Sequence, residues 1–161
     1  MRIHRLLLLL MLWPVLAMAA APSPFVPGSM EKIRQQLSGR AHMLVLWSTD
    51  CIYCAEELRY LGKLKKQRPT LPLILIATDD ISRSDLIQSM LADYRLSSAT
   101  SFAFADDYTE RLRWEIDPAW YGELPRSYLV AGDGSCRALS GQLGPKVLEP
   151  WLAKHLTIRS R

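Results

Sequence analysis

The chain lacks most of the features that would assign it to a class directly. It has only three cysteines in 161 residues, too few for a fold built on disulfides, and their odd number leaves at least one unpaired. Its eight glycines and ten prolines are scattered, which excludes collagen-like and low-complexity chains. Neither sign of charge dominates: 20 basic against 16 acidic residues give +4. The basic residues are dispersed among acids, so no nucleic-acid partner is expected. No internal repeat is found. What is present, 161 residues of which 49% are hydrophobic and 22% charged, suits one globular domain with a real core, and the length is too short for two ordinary ones.

Long hydrophobic runs are also scarce. The one candidate spans residues 6–21, after the basic head Arg2, His4 and Arg5. As a helix at about 1.5 Å per residue it reaches roughly 24 Å, short of the roughly 30 Å hydrocarbon core of a bilayer. Pro14 interrupts it, and Ala17-Met18-Ala19 matches a signal-peptidase site. Residues 1–19 are therefore expected to be a cleaved secretory signal rather than a permanent anchor. No cysteine follows the run, which excludes a lipoprotein anchor. Cleavage after Ala19 leaves 142 residues and, by removing two arginines, takes the net charge from +4 to +2. Export places the domain where disulfides persist.

The rest alternates between strand and helix patterns. Residues 20–29, with Pro22, Pro24, Pro27 and Gly28, read as an extended leader, and the domain is expected over 30–161. Helical spacing over 30–37 is followed by a buried strand at 42–47, a helix ending near Arg68-Pro69, and a second buried strand over 71–77. Another helix is expected from Leu86 to Tyr94. An irregular segment follows, with a short strand near 102–104 and one or two helical turns over 108–114. Strands at 126–131 and 135–140 flank the turn Gly132-Asp133-Gly134, and Gly144-Pro145 opens a last amphipathic helix. This order predicts an α/β sandwich: a mixed central sheet flanked by helices, parallel first, with a C-terminal β-hairpin and helix.

The chemistry gathers at Cys51-Ile52-Tyr53-Cys54, where a buried strand hands over to a helix. Free backbone N–H groups and the helix dipole there favour a thiolate at Cys51, and two intervening residues let Cys54 fold back on it. The reaction this predicts is thiol–disulfide exchange. A purely structural disulfide closes almost no loop and is a poor staple. A zinc site needs about four ligands, and only Cys136, His42 and His155 remain, so no metal or other cofactor is expected.

Two stretches resemble the thioredoxin superfamily, and within it the periplasmic TlpA/ResA/CcmG-like thiol–disulfide oxidoreductases. Val45-Leu46-Trp47-Ser48-Thr49-Asp50-Cys51-Ile52-Tyr53-Cys54-Ala55-Glu56-Glu57 is similar to that family's F-W-A-x-W-C-x-x-C-x-x-E. Gly122-Glu123-Leu124-Pro125-Arg126-Ser127-Tyr128-Leu129-Val130-Ala131-Gly132-Asp133-Gly134 is similar to its G-x-P-x-x-F-L-I-D-x-x-G. The resemblance implies a thioredoxin-like fold, a redox-active Cys51–Cys54 disulfide, and a cis proline at Pro125 with the backbone of Leu124 pairing to substrate. It implies that Glu57, one helical turn after Cys54, relays a proton to that sulfur. It also implies a periplasmic protein acting on protein thiols and disulfides, supplied with electrons by a membrane thiol-electron carrier of DsbD/CcdA type. A monomer is expected. The alternative is a binding module, a chaperone or metal-delivery protein using the same cysteine face.

The departures from that pattern carry their own expectations. Asp50 replaces the family's tryptophan; its carboxylate either raises the Cys51 pKa or turns away as a helix cap. Ile52 and Tyr53 replace the Gly-Pro of thioredoxin and are expected to tune the redox potential. Val45 stands where thioredoxins proper keep a buried aspartate. Trp120 and Tyr121, just before Pro125, either frame a substrate groove or cap the core. Cys136 reads as a buried free cysteine, or else as a second redox or intermolecular thiol. Lys63, Lys65, Lys66 and Arg68 read as a solvated face that can dock an acidic partner.

Overall fold

The computed structural model describes residues 20–156; the expected signal, residues 1–19, lies outside them. In chain order the elements are β1 (Ser23–Phe25), α1 (Ser29–Gln36), β2 (His42–Trp47), α2 (Ile52–Gln67), β3 (Leu73–Asp80), a 3-10 turn over Ile81–Arg83, α3 (Ser84–Asp93), β4 (Thr100–Phe104), α4 (Thr109–Ile116), β5 (Arg126–Val130), β6 (Cys136–Ser140) and α5 (Pro145–His155). The strands make one sheet in the order β1-β4-β3-β2-β5-β6. The first four in that order run parallel, and β5 and β6 are antiparallel to their neighbours. This is the mixed sheet with an antiparallel hairpin edge that the strand and helix patterns imply.

β2 is apolar at five of its six positions, and all six are buried, because helices cover both faces of the sheet. Alternation sends its residues to opposite sides. Met43, Val45 and Trp47 pack with Leu58 and Leu61 of α2, Ile87 of α3 and Leu148 of α5. Leu44 and Leu46 pack with Ile33 of α1 and Leu112 and Ile116 of α4. Each fully buried leucine of these clusters stabilises the fold by roughly 1.5–3 kcal/mol relative to exposure.

The leader is corrected. Within residues 20–29, Ser23–Phe25 form an edge strand that pairs in parallel with Phe102–Phe104, so the domain begins before residue 30. Phe25 is fully buried and stacks on Phe104 at 5.7 Å between ring centroids. Pro24 is tolerated because an edge strand leaves one side of its backbone unpaired. Three residues between prolines are too few to show a strand period, so only the partner strand reveals this one. The fold positions the site simply: β2 is central, and its carboxyl end runs through Ser48-Thr49-Asp50 into the first turn of α2.

Candidate active site

Cys51 is the N-cap of α2, and its sulfur accepts the backbone N–H of Cys54 at 3.1 Å. A thiolate there receives that donor and the positive end of a 16-residue helix. Cys51 and Cys54 are joined as a disulfide, with their Cα atoms 5.3 Å apart. The two sulfurs differ in access: Cys51 is half-buried, whereas Cys54 is 1% exposed and packed in the core cluster under α2. Only Cys51 can meet a partner from outside. Beside it Ile52 and Tyr53 are 84% and 69% exposed, an apolar rim that nothing within the described chain covers.

One turn beyond Cys54, Glu57 is buried at 2% exposure. Ser127 Oγ of β5 donates to its Oε1 at 2.7 Å, and the Leu143 N–H donates to its Oε2 at 3.0 Å. Desolvation is the largest influence on this carboxyl and raises its pKa; the two hydrogen bonds oppose that rise without cancelling it. The result is an acid held close to Cys54 and readier than a surface glutamate to keep its proton.

Asp50 neither caps α2, a role Cys51 itself fills, nor stands alone. Its carboxylate takes both terminal nitrogens of Arg83, at 2.7 and 3.0 Å. The Arg83 hydrogen bond is the largest influence on Asp50 and lowers its pKa. Arg83 also donates to Asp79 at 2.9 Å, and Asp79, nearly fully buried, accepts from the backbone N–H and the hydroxyl of Thr49. This network pins the Thr49–Asp50 loop to the end of β3 and sets a cation against the carboxylate that precedes Cys51. Arg83→Ala is therefore expected to raise the Cys51 pKa in the reduced protein, by up to about 1 unit in a solvated setting. Asp50→Asn in the same background is expected to bring it back. Thiolate absorbance against pH reads both; no shift in either variant would show that Asp50 does not act on the thiol.

The second sequence stretch arrives at the same end of the sheet. Arg126 pairs with Leu46 and Ser127 with Val45 across β5 and β2, so Leu124 and Pro125 precede the strand edge next to the β2–α2 loop. The Leu124–Pro125 peptide is cis. Pro125 is buried and Leu124 half-buried between the two core clusters. Arg126 fastens this loop, donating to Asp117 at 2.9 Å, Ser140 at 2.7 Å and Glu123 at 3.3 Å.

The aromatic pair separates. Trp120 is 5% exposed in the second core cluster, its indole N–H donating to the Glu123 carbonyl at 2.9 Å; it caps the core and is withdrawn as a substrate contact. Tyr121, the next residue, is 93% exposed. Cys136 is likewise corrected: it is exposed, not buried. Its edge strand leaves the residue open to solvent, while neighbouring atoms desolvate the sulfur in part and raise its pKa. It pairs through Val130 with His42, at the start of β2, while Cys51 lies beyond the end of β2, about 16 Å away along the strand. It cannot take part in the Cys51–Cys54 couple of its own chain.

Four residues of the site escaped the sequence reading. Asp79 and Arg83 show a four-residue spacing that signals a local pair, but Asp50 is 33 positions away. Ser127 had a faint signal as a small polar residue inside a strand whose central positions are buried. Arg126 reads only as a strand opening, until Asp117 and Ser140 close around it.

No protein-family model matches the chain, and no curated protein matches it by sequence. Its structure is similar to a secreted Mycobacterium tuberculosis disulfide oxidoreductase homologous to Escherichia coli DsbE, with a TM-score of 0.56 at 20% identity over 74% of this chain and 85% of that one. It is similar to M. tuberculosis DsbF (TM-score 0.58, 16% identity, 74% and 84% covered). A third likeness is to the thioredoxin domain of a Bacteroides vulgatus thiol–disulfide oxidoreductase (TM-score 0.57, 17% identity, 74% and 81% covered). The chain has the thioredoxin-like fold. It is the fold of thiol–disulfide oxidoreductases, and this chain carries a C-x-x-C pair within it.

Proposed function

We propose that the protein is an exported thiol–disulfide oxidoreductase that reduces protein disulfides in the periplasm. The observation that carries the reading is the unequal pair at the start of α2: a reachable Cys51 at the helix N-terminus over a Cys54 sealed in the core. In the reduced protein the Cys51 thiolate attacks one sulfur of a substrate disulfide, forming a mixed disulfide and releasing the other substrate sulfur as a thiolate. Cys54 then loses its proton and attacks Cys51, closing the intramolecular disulfide and freeing the second substrate thiol. Two electrons pass to the substrate in all. Glu57 takes up the Cys54 proton during closure and returns it when the pair is reduced again. The backbone before Pro125 holds an extended substrate segment at Leu124, with Ile52 and Tyr53 contacting it from α2.

Export rests on residues 1–19, and the secreted mycobacterial protein of the same fold supports it. A membrane thiol-electron carrier of DsbD/CcdA type returns the pair to the dithiol. The test is reduction of insulin by the reduced protein, with turbidity as the readout. No activity above that of Cys51→Ser overturns the reading. Equilibration of the pair with glutathione tests the direction: a couple more reducing than glutathione supports a reductant, and a more oxidising one overturns that half.

A further inference from the structure

Ile52, Arg59, Lys63 and Lys66 are exposed and recur every three, four or seven positions along α2, so they share one face of the helix. One end of that face is Ile52, beside Cys51; the other end is basic. There Arg59, Lys63 and Lys66 form one wall of a groove of about 600 Å³, and Asp93, Tyr94 and Arg95 line the other. Gly62 holds the walls together: the Tyr94 carbonyl lies where any Cβ on residue 62 would stand. Arg95 ends α3 in the left-handed region at φ 60°, with the Leu96 N–H returning to the Leu91 carbonyl at 2.7 Å. Glycine usually fills that position; here it is a fourth cation. Lys65 is occupied by the Leu71 carbonyl and Arg68 by Glu149. Arg59, Lys63, Lys66 and Arg95 have no ion-pair partner among the described residues, and Asp93 is the one acid in the groove.

We propose that this groove docks an acidic segment of the disulfide-bearing protein on which Cys51 acts, an inference that rests on the exchange reaction above. A partner that covers Ile52 to reach Cys51 continues along the same helix face onto the cations. These begin about 12 Å and end about 22 Å from Cys51 along the axis. The substrate class is thus a protein whose reducible cysteine is followed, at that distance, by aspartates or glutamates. A bilayer surface fits less well, because no exposed large apolar residue lines the groove to insert among lipids.

Fluorescence anisotropy of the oxidised protein tests the groove without thiol chemistry, using two cysteine-free peptides of equal length, one rich in aspartate and glutamate and one in serine and glutamine. The acidic peptide is expected to bind more tightly, to lose about tenfold in affinity on Lys63→Glu/Lys66→Glu, and to be released by about 0.5 M salt. In single-turnover reactions of the reduced proteins, the same charge reversal is expected to slow a disulfide peptide with the acidic tail about tenfold. Hydroxyethyl disulfide is expected to react at an unchanged rate. Equal affinity of the wild type for both peptides, or no loss on charge reversal, overturns the docking site. So does charge-dependent sedimentation with phosphatidylglycerol vesicles in place of acidic-peptide binding. If the reduced wild type exchanges with no disulfide, hydroxyethyl disulfide included, the reaction itself is overturned, while the anisotropy result still decides the groove.

Discussion

Cys51→Ser is expected to lose disulfide exchange by at least about a thousandfold, because no second nucleophile replaces it. Cys54 is sealed under α2 and cannot meet a substrate, and Cys136 is at the far end of the sheet. The loss is expected without unfolding: a disulfide three residues apart closes too small a loop to constrain the unfolded chain much. A thermal melt near the wild-type value checks that. Cys54→Ser is expected to behave differently. It keeps the attacking sulfur and loses the resolving one, so a mixed disulfide with substrate accumulates and is visible on a gel run without reductant. Turnover surviving in Cys51→Ser, or an adduct carried by Cys54, would reverse the assignment of the two sulfurs.

Glu57 is expected to produce the second large effect, and its two substitutions separate chemistry from packing. Ser127 and the Leu143 N–H both donate to Glu57; a glutamine there can accept the Leu143 N–H with its carbonyl and donate its amide to Ser127 Oγ, once that hydroxyl turns to accept. Glu57→Gln should therefore fold, yet slow the closing attack of Cys54 by about a hundredfold and flatten its dependence on pH, since the amide carries no transferable proton. Glu57→Leu orphans both partners and is expected to cost about 1–3 kcal/mol for each buried group. The raised pKa fixes the sign of the pH effect. The carboxyl's contribution to stability is fully present below its unfolded pKa and is lost as pH rises through its raised folded value. Urea denaturation should thus find Glu57→Gln gaining on the wild type from acid towards neutral pH. An unchanged rate and pH profile in Glu57→Gln would reduce Glu57 to a packing role.

How legible the molecule was depended on the range of each interaction. Cys51, Cys54 and Glu57 lie within seven residues on one element, and helical spacing alone puts Glu57 a turn from Cys54. The central strands were legible because burial on both faces leaves an apolar run in β2 and β3. β1 was not, since three residues flanked by prolines have no period and gain their strand character from β4. Asp50 looked like a cap or a free charge until Arg83 arrived from beyond β3. Trp120 and Tyr121 are neighbours with similar chemistry, and only the packing of α4 against β5 sends one into the core and leaves the other in solvent. Free cysteines are commonly buried, but Cys136 lies on the edge strand of the hairpin, where solvent reaches it.

By itself the sequence determined the order of elements from α1 onward, the apolar faces that drive them together, and the dithiol at a strand-to-helix junction. These are set by local periodicity and short spacings, which a linear chain displays. The tertiary structure alone decided which cysteine is reachable, how burial raises the Glu57 pKa against its two hydrogen bonds, which cation answers Asp50, and that four cations without an ion-pair partner among the described residues line a groove along the helix that carries the disulfide. Each of these depends on residues tens of positions apart meeting across the sheet or between helices, where burial and charge are properties of the assembled neighbours rather than of any stretch of chain.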